Sequence, residues 1–124
     1  MDQNNVTKNL LVVEDEQVIS NICYRVLTKE GFNVIQATDG NTAIELLNKH
    51  RFDLCLLDIR LPGIDGLELY RYICRKSPNL SLKVIFMTGD ALSRNILEFV
   101  NSSGRQLLEK PFTTDELLTA VKNV

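Results

Sequence analysis

The chain has 124 residues, 44% of them hydrophobic and 24% charged, with a formal net charge of −2. That length accommodates one domain with a substantial core, and the composition excludes a disordered chain. The acidic balance gives no support for a nucleic-acid surface, which would need a basic face, and no apolar run reaches the ~20 residues of a membrane span.

The opening Met1-Asp2-Gln3-Asn4-Asn5 is polar. It reads as part of a flexible segment over residues 1–8, not as a signal peptide, with the domain proper at 9–124. Leu10-Leu11-Val12-Val13 is a short apolar run, hence strand one, and ends in Glu14-Asp15-Glu16. Val18, Ile19, Ile22, Cys23, Val26 and Leu27 then recur at helical spacing, and Gly31 stops that helix. Phe32 to Ala37 reads as strand two. Asp39-Gly40-Asn41 reads as a turn and cap, and Ala43, Ile44, Leu46 and Leu47 mark helix two.

Asp53 to Leu57 reads as strand three, continuing into Asp58 and a Leu61-Pro62-Gly63 loop. Leu67, Leu69, Tyr70, Ile73 and Cys74 mark helix three, ended by Ser77-Pro78-Asn79. Val84 to Met87 is strand four, followed by Thr88-Gly89-Asp90. Leu92, Ile96, Leu97 and Val100 give a weaker helix four. Gln106 to Glu109 is strand five, ending at Lys110-Pro111-Phe112. Thr113 or Thr114 caps helix five, which carries Leu117, Leu118 and Val121. Strict alternation implies an α/β fold: a single-domain, doubly wound five-stranded parallel sheet, flavodoxin-like (βα)5, with leading strand order 2-1-3-4-5.

The three cysteines, Cys23, Cys55 and Cys74, lack any C-x-x-C spacing, and each falls on a predicted apolar face. They are expected to be buried free thiols in a protein of the reducing cytoplasm. The single histidine, His50, follows helix two, where a cation suits the helix C-terminus. No second histidine or nearby cysteine supports a metal role for it.

The run Leu54-Cys55-Leu56-Leu57 reads as a strand buried on both faces, and it delivers Asp58 to the sheet's carboxyl edge. A carboxylate there needs a partner, since an unpaired one would cost several kcal/mol or neutralise itself. In the order 2-1-3-4-5, Asp15 and Asp58 converge, with Glu14 close by, and Thr88 and Lys110 end the next inner strands. Two carboxylates ~4 Å apart repel by about 4 kcal/mol at an effective dielectric of ~20, so some are protonated or a cation sits among them. Oxygen ligands without His or Cys select a hard ion, and an open site suits Mg²⁺. Taken singly, Thr88 is an ordinary strand-end residue, Lys110 a surface lysine, and the acids after strand one a helix N-terminus. Together they form a phosphoryl-transfer constellation of carboxylate nucleophile, divalent ion, hydroxyl and ammonium.

Leu11-Val12-Val13-Glu14-Asp15-Glu16, Asp58-Ile59-Arg60-Leu61-Pro62-Gly63-Ile64-Asp65-Gly66, Met87-Thr88-Gly89 and Lys110-Pro111-Phe112 closely resemble the receiver domain of two-component response regulators and hybrid histidine kinases. The resemblance runs from Leu10 to Val124. The stretch from Thr88 to Phe112 is most similar to receivers joined to hybrid sensor kinases. It implies that Asp58 is the phosphoacceptor and that Glu14 and Asp15 form the acidic pocket. Asp15, Asp58 and the backbone carbonyl of Arg60 would bind Mg²⁺, while Thr88 and Lys110 would contact the phosphoryl group. A cis bond before Pro111 is likewise implied.

The implied activity is attack by Asp58 on the phosphohistidine of a histidine kinase or histidine phosphotransfer protein, followed by slow hydrolysis of the acyl phosphate. The domain would thus promote its own phosphorylation and dephosphorylation without being a conventional enzyme. It would switch a surface of helix four, strand five and helix five, which could also carry dimerisation. The output partner or fused domain is not specified by the motifs.

One position departs from the family: Leu107 stands where an aromatic usually rotates with the threonine. Arg60 is expected to screen the acyl phosphate or to pair with Glu14, tuning phosphoryl lifetime. The competing reading is a receiver-like docking module that does not cycle. A phosphatase of the second common aspartyl type would want Asp where Arg60 stands. A flavin domain would want a Ser/Thr/Gly-rich loop in place of Glu14-Asp15-Glu16.

Overall fold

A computed structural model describes residues 7–90 and 93–124. The expectations for Met1 to Asn5 and for Leu92 lie outside the described residues. The elements are β1 (Asn9–Val13), α1 (Gln17–Lys29), β2 (Asn33–Ala37), α2 (Gly40–Lys49), β3 (Leu54–Asp58) and α3 (Gly66–Lys76). A single helical turn at Pro78–Ser81 precedes β4 (Val84–Thr88), α4 (Arg94–Ser103), β5 (Gln106–Glu109) and α5 (Thr114–Lys122). All strand pairs are parallel, in the expected order β2-β1-β3-β4-β5.

Because side chains alternate along a strand, the sheet feeds two separate cores. Cys55 and Leu57 of β3 face α2, α3 and α4, where they join Ala43, Leu69, Ile73, Ile96 and Val100. Leu54 and Leu56 face α1 and α5, where they join Cys23, Leu27, Leu117 and Val121. Both faces of β3 are therefore covered, and its five residues are all buried. This explains the unbroken apolar run that ends in Asp58.

Local chemistry fixes the helix ends. Asp39 accepts from the Thr42 N–H at 2.7 Å, and Asp65 accepts from the Glu68 N–H at 2.9 Å. At α5 the cap is Thr113, which forms a reciprocal capping box with Glu116. Gly31 follows α1 with φ of 101°, a conformation costly to any residue with a Cβ. Gly66 opens α3 hard against β3: a Cβ there would sit 2.2 Å from the Asp58 carbonyl oxygen. Its N–H donates to the Ile59 carbonyl at 2.8 Å, so the start of α3 is pinned to the end of β3.

Three details differ from the sequence expectation. Val18 is 73% exposed, because the buried stripe of α1 runs through Ser20, Cys23 and Leu27. The Ser20 hydroxyl earns its place there by accepting from Gln36 at 2.8 Å. Cys74 is exposed, whereas Cys23 and Cys55 are buried as expected. It follows Ile73, the last residue of the buried Gly66–Leu69–Ile73 stripe, and one residue rotates a helical side chain by about 100° out of that stripe. Finally, Pro78 does not merely end α3 but starts a helical turn of its own, at the position where its missing N–H is harmless.

Candidate active site

The carboxyl edge gathers the residues at the ends of β1, β3, β4 and β5. Glu14 follows β1 and is fully buried, its N–H donating to the Ala37 carbonyl at 3.0 Å. Asp58 ends β3 at 3% exposure, and Thr88 ends β4 at 0%. Lys110 follows β5, its N–H donating to the Thr88 carbonyl at 2.8 Å, and the Lys110–Pro111 bond is cis as implied.

The Lys110 ammonium lies in the middle of the acids. Nζ is 2.7 Å from Glu14 Oε1, 3.1 Å from Asp58 Oδ2 and 3.2 Å from Glu16 Oε1. The Asp58 Oδ1 atom accepts from the Arg60 N–H at 3.2 Å, and Glu14 Oε2 accepts from the Glu16 N–H at 3.1 Å. Glu14 Oε1 is engaged by the Lys110 ammonium, with which it forms a close ion pair. Thr88 Oγ1 accepts from the Asp90 N–H at 3.0 Å.

These contacts set the charge states. Burial, reinforced by the neighbouring Asp58, pushes the Glu14 carboxyl up from 4.5 to about 7, against the opposing pull of Lys110. Burial alone would lower Lys110, but its bonds to Glu14 and Asp58 outweigh it and hold the ammonium above its ordinary value. Burial also pushes the Cys23 and Cys55 thiols up to about 12, which leaves both inert as nucleophiles.

Sequence reasoning brought Glu14, Asp58, Thr88 and Lys110 to one edge, and the structure places them there. Among the described residues, the carboxylates within 4.8 Å of one another are Glu14, Glu16 and Asp58. Asp15, exposed at the same turn, is not one of them. Glu16 was overlooked as a partner of Lys110. No periodicity signalled it, since β1 ends at Val13 and Glu16 lies in the loop before α1. The Arg60 guanidinium pairs with Asp90, not with Glu14 as one expectation had it, because Lys110 already occupies Glu14. Asp90 carried only a positional signal: it stands two residues past Thr88, as Arg60 stands two past Asp58.

Leu107 lies half-buried opposite Phe86 of β4. Aromatic rings pack on that face even so, contributed by other elements. Tyr70 of α3 meets Phe86 edge-on at 5.1 Å and Phe99 of α4 at 5.9 Å, and Phe86 meets Phe99 at 6.1 Å. Arg71 of α3 sits over the Phe99 ring at 5.1 Å, tying α3 to α4.

The family model described as the response regulator receiver domain matches residues 10–122. The chain belongs to the response regulator receiver domain family. Two curated relatives bear on this receiver domain. It is 35% identical over 116 residues to a probable transcriptional regulator, ycf29, of Porphyra purpurea, covering 94% of this chain and 56% of the relative. It is 37% identical over 108 residues to an uncharacterized transcriptional regulatory protein, YrkP, of Bacillus subtilis, covering 87% of this chain and 45% of the relative. The receiver domain thus spans about half the length of these relatives.

Among solved structures, it is similar to a CheY-like receiver domain protein from Methanospirillum hungatei, with TM-score 0.87, 28% identity and coverage of 95% and 93% of the two chains. It is also similar to the receiver domain of a sensor histidine kinase from Pseudomonas aeruginosa, with TM-score 0.82, 28% identity and coverage of 95% and 97%. That structure has a magnesium ion coordinated in its active site cleft.

Proposed function

We propose that this receiver domain is a cycling phosphoacceptor of a two-component phosphorelay. Asp58 takes the phosphoryl group from a phosphohistidine on a histidine kinase or histidine phosphotransfer protein. The observation that carries this reading is the Lys110 ammonium held 3.1 Å from Asp58 at the end of a fully buried strand. An ammonium so placed offsets the cost of burying that carboxylate.

In the reaction an Asp58 oxygen bonds to phosphorus as the phosphorus–nitrogen bond to the donor histidine breaks, and that electron pair leaves with the imidazole. Lys110 offsets charge on the phosphoryl oxygens, and Thr88 donates its hydroxyl to one of them. Glu14, Asp15, Asp58 and the Arg60 carbonyl would hold Mg²⁺. The oxygen-only donor set fits a hard cation, Glu14 and Asp58 lying with Glu16 within 4.8 Å of one another. When bound, the ion supplies a positive charge that offsets repulsion between the incoming phosphoryl group and the carboxylates.

The product charge draws Thr88 inward and shifts the α4–β5–α5 surface between two states. That surface is read by an attached or separate output partner, or by a second copy of the chain. Among the described residues no helix is long and apolar enough to cross a membrane. The buried free thiols support a cytoplasmic setting.

The test is incubation with acetyl phosphate or beryllofluoride, with and without Mg²⁺, read by intact mass and by amide NMR. A Mg²⁺-dependent response that Asp58→Ala abolishes supports the reading. A response independent of Mg²⁺ refutes the metal assignment.

A further inference from the structure

Helix α4 is the least anchored of the five long helices. It buries Ile96 and Val100 alone, whereas α1, α2, α3 and α5 each bury three residues. Its N-cap, Ser93, makes no side-chain hydrogen bond to the first turn. A relay of main-chain hydrogen bonds joins that end of the helix to the site instead. Thr88 Oγ1 accepts from the Asp90 N–H at 3.0 Å, the Asp90 carbonyl from the Ser93 N–H at 3.2 Å, and the Ser93 carbonyl from the Leu97 N–H at 3.0 Å.

What holds α4 down beyond those two aliphatic residues is the half-buried Phe99 ring. It packs edge-on against Tyr70 of α3 at 5.9 Å and Phe86 of β4 at 6.1 Å, and the Arg71 guanidinium covers it at 5.1 Å. Arg71 is exposed and, among the described residues, makes no ion pair, so the ring is what it binds. We propose that Tyr70 and Arg71 clamp the Phe99 ring, hold α4 in its unphosphorylated position and so set the threshold of the switch. Both are positioning residues that act through Phe99. The inference rests on the phosphorylation of Asp58 proposed above.

The two ends of α4 therefore answer to different groups. When the Thr88 hydroxyl turns toward a phosphoryl group, the Asp90 N–H loses its acceptor and the relay to the first turn is released. The clamp survives that event, because Tyr70 and Arg71 lie on α3, outside the relay. Moving α4 then requires the ring to leave its neighbours, and edge-on and cation–π contacts weaken with small displacements because they are directional. A phosphoryl group shifts the helix only by as much as it favours the released position over the clamped one. Weakening the clamp therefore populates the released position without a phosphoryl group, and raises the apparent affinity for a phosphoryl mimic in proportion.

Amide NMR of the full chain, titrated with beryllofluoride in Mg²⁺, tests this as a double-mutant cycle on wild type, R71Q, F99L and R71Q/F99L. R71Q is expected to lower the half-saturating beryllofluoride concentration about two- to fivefold, the effect of losing a cation–π contact at an exposed site. Its ligand-free α4 amides are expected to move along the line toward the wild-type bound positions, a direction that a merely structural change does not produce. F99L is expected to move both readouts the same way, and R71Q to add nothing in that background. Overturning results are an R71Q midpoint equal to that of wild type, ligand-free shifts off that line, or an R71Q effect that persists without Phe99. R71Q alters an exposed side chain and decides the matter alone if F99L does not fold. A wild type whose amides ignore beryllofluoride overturns the phosphoacceptor reading itself, and the clamp with it. A responsive wild type beside an unchanged R71Q overturns the clamp alone.

Discussion

Lys110 Nζ lies 3.1 Å from Asp58 Oδ2 across 52 residues of sequence, with Glu14 Oε1 2.7 Å from the same nitrogen. One ammonium thus pairs with two carboxylates that are almost wholly buried. The pair is the physical reason that an acid can end a fully buried strand of the sheet.

Removing that ammonium has a pH-dependent consequence. In Lys110→Ala the Glu14 and Asp58 carboxylates face each other without a counter-charge, and one of them holds a proton more tightly. The loss of stability is expected to be larger at pH 8 than at pH 5, where Glu14 is already protonated in the folded state. Urea unfolding at the two pH values measures it. Equal losses at both contradict the arrangement.

Glu14 itself opposes folding at neutral pH. Its folded value of about 7 stands above its ordinary 4.5, so between these values the folded state binds more protons than the unfolded state. Stability therefore falls as pH rises through that window. Relative to Glu14→Gln, wild type is expected to lose about 3 kcal/mol between pH 4.5 and 7.5, at 1.36 kcal/mol per pH unit of displacement. Urea titrations in chelator read the difference, and a flat profile contradicts it.

Gly66→Ala is expected to destabilise the fold by about 1–3 kcal/mol, the range for overpacking. The added methyl would meet the Asp58 carbonyl at 2.2 Å and the Ile59 Cα at 2.6 Å, and neither is a flexible side chain. Thermal unfolding checks this. A midpoint equal to wild type would show that the α3–β3 contact is loose.

Thr88→Val separates chemistry from switching. The substitution removes the hydroxyl that accepts from the Asp90 N–H, at a net cost of about 0.5–1.5 kcal/mol. Asp58 is expected still to accept a phosphoryl group, while beryllofluoride-induced amide shifts in α4 and β5 diminish. Shifts of wild-type size would remove Thr88 from the switch.

The inner strands were legible because β1, β3 and β4 each carry an unbroken apolar run of four residues, and the strand order follows from alternation with helices. The site was legible for a related reason: in a parallel sheet the residue after each inner strand must arrive at one edge. What escaped the sequence was side-chain direction beyond the strands. Glu16 and Asp90 sit in loops, where no periodicity says which way a side chain turns. Cys74 lies one residue past its buried stripe, and Val18, two residues before Ser20, lies on the face of α1 opposite the buried one. The packing of the Tyr70, Phe86 and Phe99 rings beside Leu107 also escaped the sequence, because three separate elements contribute them.

The central claim is that Asp58 is the phosphoacceptor. Intact mass after incubation with acetyl phosphate and Mg²⁺, compared between wild type and Asp58→Asn, tests it most directly. The account predicts one added phosphoryl group on wild type, none on Asp58→Asn, and little on wild type when Mg²⁺ is chelated. An unmodified wild type, or equal modification of Asp58→Asn, would contradict it.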